Sequence, residues 1–162
     1  MKNAKYESNE KVLSGYNTDD LIAHVQKNHH DYLKKELPIT LSLMLDVILV
    51  HCKNHPELFK IHSTFGTLKT GLEGHLIQEE VNLFPNMKEG KDGIKALIEK
   101  LEKEHDGAEI ALAKLTELTN NFTPPEDACS NYSLLFEKLE DFVDNMHNHI
   151  QTENNILFKR AL

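Results

Sequence analysis

The chain of 162 residues predicts an all-α protein, an antiparallel up-down-up-down four-helix bundle. Apolar residues recur at steps of three and four through four long stretches, which marks helices with one buried face. Brief breaks rich in Pro, Gly and Asn separate the stretches, and short connections make neighbouring helices antiparallel. A ten-residue motif also occurs twice, once in the second stretch and once in the fourth.

Residues 1–17 are polar and mixed in charge and are expected to form a flexible or loosely docked lead; residues 18–162 form one domain. Thr18-Asp19-Asp20 signals a helix start, with acids placed favourably for the helix dipole. The first helix is expected from Leu21 to about Cys52. Pro38 lies inside it and should kink or break it. Asn54-His55-Pro56-Glu57 is a break with Pro at a first helical position, and the second helix runs from Leu58 to about Met87. Glu89-Gly90-Lys91-Asp92-Gly93 is a turn, followed by a third helix from Ile94 to about Leu118. Asn120 to Pro125 is a loop, and the fourth helix runs from Glu126 to about Lys159.

The bulk composition excludes several roles. A formal charge of -8 leaves no basic patch for nucleic acid and disfavours an anionic membrane surface. The longest apolar stretch, Ile39 to Val50, is interrupted by Thr40, Ser42 and Asp46 and is too short to span a bilayer. The polar start has no apolar core of a secretory signal. Cys52 and Cys129 form no C-x-x-C and no disulfide framework, so a reduced, cytoplasmic setting is expected. The outlier is histidine, with ten.

The repeat concentrates those histidines. His75-Leu76-Ile77-Gln78-Glu79-Glu80-Val81-Asn82-Leu83-Phe84 returns as His149-Ile150-Gln151-Thr152-Glu153-Asn154-Asn155-Ile156-Leu157-Phe158. The shared pattern is H-[LI]-x-x-E-x-x-x-L-F. His30-Asp31 and His105-Asp106 precede the two copies at nearly equal intervals. His75 and Glu79 continue the apolar stripe of Phe65, Leu68 and Leu72. His149 and Glu153 continue that of Leu135, Leu139, Phe142 and Met146. His105 lies between Leu101 and Ala108, and His30 extends the line of Leu33 and Leu37. Six polar residues thus stand where a core wants leucine, at one depth of the bundle. Each Glu lies one turn, roughly 5.4 Å, from its His. Unpaired burial of two carboxylates and four imidazoles is costly. Two metal ions between the helices remove that cost, since imidazole is a good iron ligand and a carboxylate bridges hard cations.

With its H-x-x-x-E pairs, its H-D echoes and its tail H-I-x-x-E-N-x-x-L-F, the chain from about Thr18 to Lys159 resembles the hemerythrin-like di-iron domain of the repair-of-iron-centres family. Thr18-Asp19-Asp20-Leu21-Ile22 and Glu36-Leu37-Pro38 add to the likeness. The resemblance implies two iron ions with oxo or hydroxo and carboxylate bridges. His30, His75, His105 and His149 would be terminal ligands, with Glu79 and Glu153 bridging. It further implies a role in nitrosative and oxidative stress, with iron–sulfur proteins as targets for repair. Nitric oxide or dioxygen would be the small ligands, and nitric oxide reduction is among the activities two adjacent irons would permit. Members of the family commonly carry a small N-terminal domain with a cysteine pair. The short lead here has no cysteine, so a function that depends on those thiols is expected either to be missing or to need a separate protein.

Other residues have two readings. His51 also matches a histidine typical of the family, yet on an unbroken helix it lies about 31 Å from His30. It joins the site only if the helix folds back at Pro38; otherwise it is an end-layer histidine. His29 points about 100° away from His30, and the repeat spacing selects His30. Glu109, one turn after His105, is an extra ligand, an outer acceptor or a solvated side chain. Asp31 and Asp106 either orient imidazoles or face out. Cys52 and Cys129 read as small fillers, although a helix start would favour a Cys129 thiolate. Glu102-x-x-His105 mimics a ferritin-like motif but has no second copy on a matching helix.

Two other functions are open to such a chain. One is a hemerythrin-like dioxygen carrier or sensor. Oxygen carriers have an asymmetric ligand set with H-x-x-x-x-D on the last helix, where this chain has H-x-x-x-E. The other is a polar layer that only sets helix register and binds no metal tightly.

Overall fold

The computed structural model describes residues 9–90 and 93–162. Among them every regular element is helical, and the four predicted rods are present. Rod α1 comprises an α-helix Thr18–Val25, a π-helical turn Gln26–His30 and an α-helix Asp31–His51. Rod α2 comprises Glu57–Gln78, a π turn Glu79–Leu83 and a last α segment Phe84–Lys88. Rod α3 is Lys95–Leu118. Rod α4 is Ser130–Thr152, a π turn Glu153–Leu157 and a 3-10 turn Phe158–Ala161. Each of α1 and α3 packs beside both α2 and α4, as an up-down-up-down bundle requires.

Local chemistry explains the ends. Asn17 caps α1, its Oδ1 accepting from the Asp20 amide at 2.8 Å, with Asp19 and Asp20 in the first turn. The start signal is thus displaced by one residue from Thr18. Pro38 does not break α1. It lies on the exposed face, where the carbonyl that loses its amide partner can turn to water. After α3 the chain turns through three consecutive residues at positive φ: Asn120 (48°), Asn121 (55°) and Phe122 (59°). Asparagine tolerates this region; Phe122 does not, and its packing against the main core offsets the strain. Rod α4 begins at Ser130, not Glu126. The Ala128 amide bonds the Pro125 carbonyl in a turn, and extended Cys129 leads into the helix.

The core is divided in two. The larger cluster fills the middle and far end of the bundle around Met44, Phe65, Leu112, Tyr132 and Phe142. The smaller one closes the other end with Leu21, Val25, Leu83, Phe84, Leu101, Leu157 and Phe158. Of the predicted lead, residues 9–14 are helical and Leu13 is buried in the smaller cluster. The Arg160 guanidinium donates to the carbonyls of Ser14 and Tyr16 and ties that segment to the end of α4. The first eight residues of the lead, and Lys91 and Asp92 of the predicted turn, lie outside the described residues.

Candidate metal centre

Between the two apolar clusters lies a layer of buried polar side chains: His30, His75, Glu79, His105, His149 and Glu153, none more than 3% exposed. One histidine comes from each rod, and α2 and α4 each add a glutamate one turn further on. Three of these residues mark π turns: His30 ends one, while Glu79 and Glu153 each begin one. A π turn holds one residue more than an α turn and rotates the residues beyond it. In a straight α-helix Phe84, nine residues after His75, would face about 180° away from it. With the π turn both Leu83 and Phe84 are buried, and so are Leu157 and Phe158 in the matching place on α4. The L-F ending of the repeat thus seals the layer from one side.

Each carboxylate divides its oxygens between two pairs of imidazoles. Glu79 Oε2 lies 3.2 Å from His30 Nε2, and Glu79 Oε1 lies 3.2 Å from His75 Nε2. Glu153 Oε1 is 2.9 Å from His149 Nε2 and 3.7 Å from His30 Nε2, while Oε2 is 3.2 Å from His105 Nε2. Two four-residue sets result, His30/His149 and His75/His105, each completed by both glutamates. Within each set the ligating atoms lie within 4.8 Å of one another.

The donors fit metal better than they fit each other. All four carboxylate oxygens, and Nε2 of His30 and His149, are buried without a hydrogen-bond partner. His75 and His105 turn their Nε2 atoms toward each other at 3.0 Å, so at most one proton can lie between them. Buried polar groups in such number are otherwise rare, and imidazole with shared carboxylate is an iron, manganese or zinc donor set. Without metal, protons take the place of cations. Burial opposes charge on His30, but Glu153 and Glu79 outweigh it and raise its pKa to about 10. His75 is likewise opposed by burial and raised to about 9, chiefly by Glu79; His105 is raised by Glu153 against burial. Burial pushes the Glu153 carboxyl up, but His149, His105 and His30 together hold it well below the usual range.

Outer acceptors hold three of the four imidazoles. His30 Nδ1 lies 2.8 Å from Glu80 Oε1, His75 Nδ1 2.8 Å from Glu104 Oε2, and His105 Nδ1 2.7 Å from Asn154 Oδ1. Such contacts fix the ring and leave Nε2 facing inward. None of the three was singled out from the sequence, although a signal was there: Glu80 and Asn154 occupy the same place in the two copies of the repeat. The duplication breaks at one point. Glu104, just before His105, serves His75; the matching residue, just before His30, is His29. Its ring lies flat against His149 (5.1 Å between centroids, 6° between planes) and contacts Asn145, which leaves His149 Nδ1 buried and unpartnered.

The weaker candidates lie elsewhere. His51 is not among the central residues, because α1 runs unbroken through Pro38. Glu109 pairs with His147 at 3.0 Å. Asp31 and Asp106 are exposed. Glu102 is half-buried and belongs to neither set. Cys52 and Cys129 are free thiols, the second exposed.

A cavity of about 310 Å³ lies between α2 and α3. Exposed Thr67, Gly71 and Gly107 form its mouth, Leu68, Leu72, Ala108 and Ala111 its apolar walls, and His75 with His105 its inner end, where the half-buried Glu104 also lines it. Neither His30 nor His149 lines it. Among the described residues no helix is long and apolar enough to cross a membrane.

Residues 21–161 match the family described as the hemerythrin HHE cation binding domain. A probable iron-sulfur cluster repair protein of Haemophilus influenzae is 31% identical over the whole of this chain and 73% of its own length. The iron-sulfur cluster repair protein ScdA of Staphylococcus epidermidis is 28% identical over 90% of the chain and 67% of its own length. The iron-sulfur cluster repair protein YtfE of Escherichia coli is 34% identical over 88% of the chain. The chain spans 66% of the length of that relative.

Proposed function

The chain belongs to the hemerythrin HHE cation binding domain family, and on that premise we propose that it is a di-iron protein that repairs iron–sulfur clusters damaged by nitrosative or oxidative stress. His30 and His149 would hold one iron, His75 and His105 the other. Glu79 and Glu153 would bridge them, with an oxo or hydroxo group between. The observation that carries this reading is the division of each buried carboxylate between two histidine pairs. The names of the three relatives supply the direction of the function.

The geometry gives the chain's own residues their roles. Glu80, Glu104 and Asn154 hold three imidazoles with Nε2 inward. Leu83, Phe84, Leu157 and Phe158 keep water away from one side of the layer. The cavity admits a small uncharged molecule such as nitric oxide or dioxygen and delivers it to the His75/His105 side, because its walls are apolar apart from the Glu104 carboxylate and its inner end is those two rings. Bound iron would supply the redox change and the open coordination position. Iron is also the cargo of repair, and its release to a damaged cluster requires protons or a competing donor on Glu79 and Glu153.

The test is metal content with visible spectra of protein purified without added metal, before and after anaerobic reduction and exposure to nitric oxide. Close to two irons per chain, an absorption that bleaches on reduction and a new nitrosyl spectrum are expected. Glu79→Leu and Glu153→Leu should each lose iron; full iron in both variants refutes the assignment. A stable, reversible spectrum with dioxygen would shift the reading to a carrier or sensor. Recovery of activity by a nitric-oxide-damaged [4Fe–4S] dehydratase, dependent on iron-loaded protein, tests repair itself.

A further inference from the structure

At the far end of the bundle a second group of donors meets. His51 ends α1, His55 lies in the turn before α2, and Asp127 comes from the loop before α4. One donor atom of each lies within 4.8 Å of the others. His55 Nε2 is 2.8 Å from Asp127 Oδ1, and its Nδ1 is 3.1 Å from Glu57 Oε1. Tyr132, fully buried, sets its ring against the edges of both imidazoles, 5.1 Å from His51 and 5.5 Å from His55.

An ion pair explains part of this group. A protonated His55 between Glu57 and Asp127 accounts for three of the four side chains. It does not account for His51, whose Nε2 is buried and has no hydrogen-bond partner. A cation accounts for all four. His55 would give Nε2 to the metal beside Asp127, and its other nitrogen would donate to Glu57, the outer carboxylate that metal-bound imidazoles usually have. His51 would supply the second nitrogen, and the half-exposed Asp127 side leaves room for water. Two nitrogens and one carboxylate oxygen suit zinc or another first-row divalent ion. Bonds of about 2.0–2.2 Å require the donors to draw together. Asp127, on a loop and 52% exposed, is free to make that movement.

We propose that His51, His55 and Asp127 form a separate mononuclear site for a first-row divalent cation, with Glu57 orienting His55 and water filling the remaining positions. It lies about 31 Å along α1 from His30, so it shares no ligand with the central layer. Its partly exposed donors make it an exchangeable site, in contrast to the enclosed one.

Zinc is the probe. Protein as purified, with its central metal content counted, is titrated with Zn²⁺ by calorimetry while the ring ¹⁵N shifts of His51 and His55 are followed. One added equivalent is expected, with both rings shifting together. His55→Gln and Asp127→Asn should abolish that equivalent and leave the central metal content unchanged. Glu57→Gln should keep the site but weaken it about 10- to 100-fold. Equal zinc uptake by wild type and both variants, or uptake that leaves the His51 ring unmoved, overturns the proposal. These readouts do not depend on the central layer, so loss of the di-iron reading would leave this one standing, and the reverse.

Discussion

Glu80→Ala removes the 2.8 Å acceptor from His30 Nδ1 and leaves every proposed ligand atom in place. Loss of such an outer partner typically lowers metal affinity about 10- to 100-fold, or about 1.4–2.7 kcal/mol. The cost falls unevenly. His149, the partner of His30, already lacks an acceptor on Nδ1, so the variant leaves the His30/His149 position with no oriented imidazole. The other position keeps Glu104 on His75 and Asn154 on His105. One iron should therefore leave at a chelator concentration about 10- to 100-fold lower than in wild type, and the second should follow later. The assay is a chelator series with iron counted at each step and Mössbauer spectra to resolve the two sites. Lys34→Ala is the control. It breaks only the 2.7 Å pair with Glu80, half exposed at the lysine and worth about 0–1 kcal/mol before screening, so iron retention should not change. Two irons lost together at the wild-type chelator concentration would refute the reasoning.

In the metal-free protein the raised His30 and His75 favour the fold below their unfolded value of about 6.5, and that contribution is lost as pH rises through about 9 to 10. The depressed Glu153 contributes above about 4.5 and is lost on acidification, and His29, pushed down to about 4 by its burial, costs stability as pH falls below about 6.5, so melting temperature of the apoprotein should peak near pH 6.5. An apoprotein most stable at pH 9 would contradict these signs. Metal uptake must displace the same protons, so apparent affinity should climb with pH up to about 9 to 10, measured by competition with a pH-insensitive chelator. Gly71→Leu and Gly107→Leu place side chains at the cavity mouth, where an added Cβ meets nothing within 4 Å; stopped-flow capture of nitric oxide should slow while iron content stays unchanged. Phe158→Ala empties a fully buried site and removes the ring stacked 5.6 Å from His105; urea unfolding of the metal-free protein should show a loss of about 3–5 kcal/mol.

Much of the molecule was legible because a duplication wrote it twice. His75 and Glu79, echoed by His149 and Glu153, identified a polar layer by interrupting stripes that otherwise read as core, and the structure brings those side chains together with His30 and His105. The helical stripes also gave the rods, since burial follows a 3.6-residue period regardless of what caps the ends. Less could be read where geometry depends on more than one neighbour. The π turns left no mark on the apolar pattern, because Leu83 and Leu157 fall near the stripe with or without them, and only Phe84 and Phe158 require the extra rotation. Helix ends were displaced where a neighbour took over the cap, as Asn17 did, or where a proline pair imposed a turn, as before Cys129. His29 points away from the repeat's axis, so spacing alone selects His30, yet that direction places the His29 ring on His149.

The contacts that close the smaller cluster have a kinetic consequence. Leu13 packs with Leu157 and Phe158, and Arg160 reaches back to Tyr16, a separation of 144 residues. Closing so long a loop pays its entropy before any contact repays it. Rods α1 to α3, which already hold His30, His75, Glu79 and His105, can pair as hairpins between chain neighbours, whereas His149 and Glu153 arrive with the distant segment. A nascent chain would therefore present an open, four-donor half-site first, and His149 and Glu153 would enclose whatever ion had been captured there.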